Sequence, residues 1–207
     1  MDDGVNMRAF RYSAAMLNDS STPLSLLATR RSGKPRDLVA PGPDAAQLDT
    51  ILQIAARVPD HGKLAPWRFV IVAPEQRAAL ARVITDACRA ERPNASAKEL
   101  ESLEQFAHQA PTLVVVLSSP RVDSPIPLWE QQLSAGAAAM NLLQATHALG
   151  FAGGWLTGWA SASDAVRDAF GAAPERIVGF FFLGTPAKQL EERPRPDTSK
   201  IISHWKG

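Results

Sequence analysis

The chain has 207 residues, 45% of them hydrophobic, with 22 lysines and arginines against 21 aspartates and glutamates for a net charge of +1. That length supports one sizeable core, and the charge balance gives no global field to draw the protein onto nucleic acid or an anionic membrane. The single cysteine, Cys88, excludes an internal disulfide and a metal site built on cysteine alone, and fits a reducing, cytoplasmic setting.

Residues 1–21 contain Asp2, Asp3, Arg8 and Arg11 but no apolar run long enough for a signal peptide, and read as a flexible N-terminal extension. The domain is expected to follow from residue 22 to 207, including a C-terminal arm over 184–207. Thr22-Pro23 is a helix start, a hydroxyl cap before a proline at the first helical position. The helix 23–29 carries Leu24, Leu26 and Leu27 and runs into a basic loop, Arg30 to Arg36, broken by Gly33 and Pro35. Asp44 with Gln47 forms a capping-box pattern. Leu48, Ile51, Leu52, Ala55 and Val58 then recur at helical spacing up to Pro59.

A loop from Pro59 to Trp67 leads to a short β-branched run, Phe69 to Val72, expected as a strand. Two helices are expected over 75–92 and 97–109, divided by Pro93-Asn94. Thr112 to Leu117, with three consecutive valines, reads as a strand buried on both faces. The longest helix is expected over 128–149. Its Glu130, Gln131, Gln132, Asn141, Gln144 and His147 argue against a membrane span. Its small residues, Ser134 to Ala139, allow another backbone to come close, and Gly150 suits its C-cap. A strand over 153–157, a helix over 163–170 and a strand over 176–183 complete the domain. The tail carries Pro186, Pro194, Pro196 and Trp205, a composition suited to an arm that embraces a partner subunit.

The chemistry-bearing motifs narrow the field by elimination. The glycines at 150, 153, 154 and 158 do not form a dinucleotide fingerprint, and no phosphate-binding loop of the G-x-x-x-x-G-K type exists. His61, His108, His147 and His204 share no metal-ligand spacing. No serine sits in a nucleophile elbow. What remains is arginine: Arg30, Arg31 and Arg36 early, Arg57 before the Pro59 loop, Arg193 and Arg195 late. Guanidinium groups grip phosphate in bidentate fashion, so these residues form an anion site wherever the fold brings them together.

Five segments in order carry a resemblance to a known family. They are Arg30-Arg31-Ser32, the loop Pro59-Asp60-His61-Gly62-Lys63-Leu64-Ala65-Pro66-Trp67-Arg68-Phe69, Trp129-Glu130-Gln131, Gly150 to Trp155, and Val178-Gly179-Phe180 leading to Leu183-Gly184-Thr185-Pro186. Over residues 23–207 the chain resembles the nitroreductase family, in its small single-domain branch. The resemblance implies an α+β fold in which helices surround a mixed central sheet, with the C-terminal arm exchanged between the subunits of a homodimer. It implies FMN bound without a covalent link at the subunit interface, and NADH or NADPH as electron donor. A nitroaromatic, quinone or similar small oxidant would take the electrons in a ping-pong cycle, with no catalytic side chain and no metal.

Residue by residue, Arg30, Arg31 and Ser32 match positions that hold phosphate and ribityl oxygens. Arg57 and His61 match positions that reach the flavin from the other subunit. Trp155, Leu156 and Thr157 match the strand against the flavin ring, and Arg193 matches a further phosphate-side position. Leu156 stands where a relative can carry arginine, and the segment before Thr22 has no counterpart. Two other readings remain open at this point: a flavin-binding store or sensor without turnover, and a specialised flavin enzyme such as a reductive dehalogenase.

Overall fold

A computed structural model describes residues 16–207. Residues 1–15 of the expected extension lie outside the described residues, but residues 16–21, grouped with them from sequence, make defined contacts. The Asn18 side chain donates to the Arg31 carbonyl oxygen at 3.0 Å and accepts from the Arg31 N–H at 2.7 Å. Helix α1 (Pro23–Thr29) starts as its sequence dictates, with the Thr22 hydroxyl accepting the Ser25 N–H. A two-residue strand, β1 (Leu38–Val39), interrupts what the sequence presents as loop. Helix α2 (Ala45–Ala55) opens on a complete Asp44–Gln47 capping box.

Strand β2 (Trp67–Val72) begins two residues before the expected run. Helices α3 (Arg77–Glu91) and α4 (Ala97–Ala107) follow, then β3 (Thr112–Ser118) and the long α5 (Leu128–Ala148). Strand β4 (Ala152–Leu156) leads to α6 (Trp159–Ala162), a turn of helix that was not expected, and to α7 (Asp164–Asp168), which lies within the helix expected over 163–170. The division falls at Ser163, whose hydroxyl accepts the Val166 N–H and starts α7 afresh. Strand β5 (Arg176–Pro186) runs three residues beyond its expected end.

The sheet order is β1-β5-β3-β2, with β4 also paired to β5. All four of these pairings are antiparallel, so within the chain the expected mixed sheet is corrected to an antiparallel one. The class, α+β, stands. The mixed sheet was implied by the resemblance; within this chain each connection between paired strands reverses direction, which leaves every pairing antiparallel.

Burial explains the layering. Side chains alternate across β3, and both sets are fully buried. Leu113, Val115 and Leu117 join Ile84, Phe180 and Phe182 on one face. Val114 and Val116 join Ile51, Leu142, Phe181 and Leu183 on the other, beneath α2 and α5. Phe106 of α4 sets its ring edge-on against Phe180 and Phe182, with centroids 5.1 and 5.2 Å away. Arg77 is a buried cation that no sequence pattern marks as an interior residue. It donates to the carbonyl oxygens of Val72, Ala107, Gln109 and Pro111, and burial lowers its pKa to about 10. Among the described residues no helix is long and apolar enough to cross a membrane.

Candidate functional site

The edge strand β4 and the segment after α1 build one corner of the molecule together. The Gly33 N–H donates to the Gly153 carbonyl oxygen at 3.0 Å, laying residues 30–34 beside β4. Gly154 makes this approach sterically feasible: a Cβ there would stand 2.7 Å from the Gly33 carbonyl oxygen and 3.0 Å from Pro35 Cγ. Above the strap, an open cavity of about 350 Å³ is lined by Arg30, Ser32, Met140, Leu143, Trp155 and Thr157. Trp155 forms an anchored wall. Its indole N–H donates to the Val178 carbonyl oxygen at 3.0 Å, and its ring lies 5.1 Å from that of Phe181. Gly179 leaves the room, since a Cβ there would lie 2.2 Å from the indole nitrogen.

The basic character of this corner comes from both ends of the chain. Arg30 donates from Nη1 to the Ser32 hydroxyl at 3.2 Å. Arg195 donates to the Arg30 carbonyl oxygen at 3.0 Å, and Arg31 Nε donates to the Glu191 carbonyl oxygen at 2.6 Å. Burial, followed by repulsion from Arg195, Arg193 and Arg31, lowers the Arg30 pKa, and the Glu192 carboxylate only partly opposes this. A half-buried guanidinium amid like charges is an environment that an anion would relieve.

His147 stands behind the strap, 1% exposed. Its Nε2 accepts the Gly153 N–H at 3.3 Å. Burial, the Arg30 charge and this contact set its pKa at about 4, burial and Arg30 lowering it and the Gly153 contact opposing, so the ring is neutral and its proton sits on Nδ1.

Of the residues singled out from sequence, the fold therefore brings Arg30, Arg31, Ser32, Trp155, Thr157 and Arg193 to one corner. Leu156 is not brought to this cavity. Alternation along β4 turns its side chain to the opposite face, against the cluster of Ile177, Val166 and Phe180. Arg57 does not line the cavity, although its carbonyl oxygen accepts from Asn141 Nδ2 of α5 at 3.4 Å, one residue from Met140; His61 lies elsewhere. His61 Nδ1 is 2.8 Å from Glu130 Oε2 in the first turn of α5, whereas the cavity meets α5 at Met140 and Leu143. Between Glu130 and Leu143 the helix advances roughly 20 Å. Arg195 is the contributor that sequence reasoning left out of the site. It was visible as a late arginine, and its signal was its spacing: in an extended tail, residues 193 and 195 point the same way.

Fold and site together define an α+β protein with an arginine-rich corner against an aromatic wall at the edge of its sheet. The sequence places it further. The profile of the Nitroreductase family matches residues 27–185, and the chain belongs to that family. It is 35% identical over 184 residues to the Escherichia coli K12 protein named "Putative NAD(P)H nitroreductase YdjA", covering 88% of this chain and 98% of the relative. Among solved structures, a nitroreductase-like family protein from Bacillus cereus superposes with a TM-score of 0.73 at 20% identity, over 90% of this chain and 97% of that one. A nitroreductase with bound FMN from Bacteroides fragilis gives a TM-score of 0.65 at 22% identity, over 88% and 98%.

Proposed function

We propose that the chain is an FMN-dependent oxidoreductase, working as a cytoplasmic homodimer, that moves electrons from NADH or NADPH to a nitroaromatic, quinone or similar small oxidant. The observation that carries the reading is the convergence of Arg31, Arg193 and Arg195 around the half-buried Arg30, beside Ser32, at a cavity walled by Trp155. An FMN phosphate carries close to two negative charges, and the corner offers the planar forks and the hydroxyl to meet them. Trp155 and Thr157 supply a surface on the same cavity for the flavin ring. The name of the 35% identical relative supports the electron donor, and the bound FMN of the Bacteroides neighbour supports the cofactor.

The chemistry that FMN supplies when bound is uptake of two electrons as hydride and their delivery to the oxidant in ping-pong order. Within this chain, Arg30, Arg31, Arg193 and Arg195 would hold the phosphate, Ser32 an adjoining oxygen, and Trp155 would fix the plane of the ring. Because His61 sits far along α5 from this corner, it would serve the cavity of the other subunit in an antiparallel pair of chains, and Arg57 would join it there. Leu24, Leu27, Leu128, Trp129 and Leu133 are all at least half exposed, an apolar surface suited to such a partner. Ile201, Ile202 and Trp205, the last 93% exposed, give the tail a means to anchor across the partner. The arm and the domain division at residue 22 belong to the same proposal.

Purified protein should be yellow and should release FMN on heating. NADH or NADPH should bleach the bound flavin, and a nitroaromatic or a quinone should restore its colour. Release of FAD, or a colourless protein that FMN cannot reconstitute, would exclude the reading.

A further inference from the structure

His61 and Glu130 are the one pair of sequence-distant acid and imidazole side chains in contact among the described residues. The His61 loop is fixed by backbone anchors. The Asp60 carboxylate accepts the N–H groups of Leu64 and Ala65 at 3.1 and 2.8 Å. Ser134 Oγ donates to the Pro59 carbonyl oxygen at 2.6 Å, and Lys63 and Ala65 hold positive φ values of 55° and 47°. None of these contacts orients the His61 ring, whose side chain is 65% exposed. Only the Glu130 carboxylate does. Facing an ionised carboxylate, Nδ1 must carry the proton, and Nε2 is left for a second partner.

An exposed pair of this kind contributes little to the stability of the chain that holds it. Its surroundings indicate where it would matter. Leu128, Trp129 and Leu133, on the same end of α5, are 50%, 61% and 63% exposed, so a second copy docked on this apolar surface would cover the pair as well.

We propose that Glu130 is a positioning residue for the cofactor site: it locks the His61 ring so that Nε2 faces, and hydrogen-bonds, the FMN held by the other subunit. The inference rests on the homodimeric flavin reading. The ring makes the contact, and Glu130 acts only through it by fixing rotamer and tautomer before the cofactor arrives.

The test is a double-mutant cycle on FMN affinity. Flavin-free wild type, His61→Ala, Glu130→Ala and the double variant are titrated with FMN by fluorescence, with sedimentation velocity run alongside. Both side chains are on the surface, so the variants should fold. Each single change should weaken FMN binding roughly five- to tenfold, the range of one modest hydrogen bond. The double variant should be no weaker than His61→Ala alone. Glu130→Gln should fall between wild type and Glu130→Ala. Without any flavin, ¹⁵N NMR of the His61 ring should report a proton held on Nδ1 in wild type and a mixture of tautomers in Glu130→Ala. Unchanged affinity in Glu130→Ala, losses that multiply in the double variant, or a ring tautomer indifferent to Glu130 would overturn the proposal. Wild-type protein that takes up no FMN, or takes it up as a monomer, would overturn the flavin reading and this inference with it. That result is recognisable because it needs no variant.

Discussion

Arg195 donates a hydrogen bond from Nη2 to the carbonyl oxygen of Arg30 at 3.0 Å, across 165 residues of sequence. The tail thus braces the backbone of the residue that bears the most desolvated charge in the anion corner, and adds a second charge beside it.

Arg30→Ala should therefore lower FMN affinity by about one to two powers of ten, the worth of one charge-assisted contact. Arg30→Lys should recover only part, because an ammonium lacks the two-pronged geometry. Riboflavin, without the phosphate, should bind wild type and Arg30→Ala alike. Fluorescence titration of the apoprotein with both ligands checks this. Equal FMN affinity for wild type, Arg30→Ala and Arg31→Ala would mark both arginines as surface residues.

Gly154→Ala probes the strap without touching any charge. The added methyl would meet the Gly33 carbonyl oxygen at 2.7 Å and Pro35 at 3.0 Å, so the Arg30–Lys34 segment must move off β4. A stability loss of about 1–3 kcal/mol is expected from overpacking, with FMN affinity falling further than that loss alone explains. Urea unfolding and FMN titration of the same preparation separate the two effects. Unchanged affinity would mean that strap position does not govern the site.

Acid should loosen the same corner. The His147 pKa is about 4 in the folded chain, against about 6.5 when unfolded. Between those values the unfolded chain binds the extra proton, so stability is full above pH 6.5 and declines as pH falls toward 4. By pH 5 the linkage should cost about 2 kcal/mol. Urea midpoints at pH 7 and pH 5 should show this loss in wild type and a smaller one in His147→Gln, which keeps an acceptor for Gly153 but cannot titrate. Identical pH dependence in the two proteins would mean that other groups carry the acid sensitivity.

The tail should serve two separable purposes. Truncation after Asp197 spares Arg193 and Arg195 but removes Ile201, Ile202 and Trp205. Dimer dissociation measured by sedimentation should shift at least tenfold toward monomer, since a large exposed aromatic anchor is lost. At protein concentrations that keep the dimer together, FMN affinity should stay near that of wild type. A truncated chain as dimeric as the full one would remove the arm from the interface.

How much of this was legible in the sequence depends on the range of the interaction. Local chemistry read well: the Thr22-Pro23 cap and the Asp44–Gln47 box sit where their residue types put them, and the valines of β3 are buried on both faces. The short β1 did not read, because Leu38–Val39 is too brief to show alternation and owes its conformation to pairing with Thr185 and Pro186. The start of α7 at Ser163 read well, but α6 before it did not, because its four residues are too few to show a helical period. At the corner, Arg30, Arg31 and Ser32 were legible as a motif, and Arg193 came through the resemblance. The facing of Leu156, the bracing by Arg195 and the clamp of His147 on Gly153 were not. The Arg195 brace depends on segments 165 residues apart meeting, while the facing of Leu156 and the contact of His147 with Gly153, six residues on, depend on which face of β4 meets which neighbour, and composition holds no record of either. Arg77 is the same lesson in the core, where its acceptors lie as far away as Pro111.

The bond from Arg31 Nε to the Glu191 carbonyl oxygen, spanning 160 residues, has a consequence for biosynthesis. A chain emerging from the ribosome presents its Arg-Arg-Ser segment early, long before residues 191–195 exist. Asn18 can engage Arg31 at once, yet the anion corner stays incomplete until the last stretch has left the exit tunnel, because its closing contacts are among the longest-range in the molecule. On the proposed reading cofactor loading would follow release of the chain, and ribosome-stalled chains ending before residue 191 should retain no flavin, because β5, the shared partner of β1, β3 and β4, is still held in the tunnel.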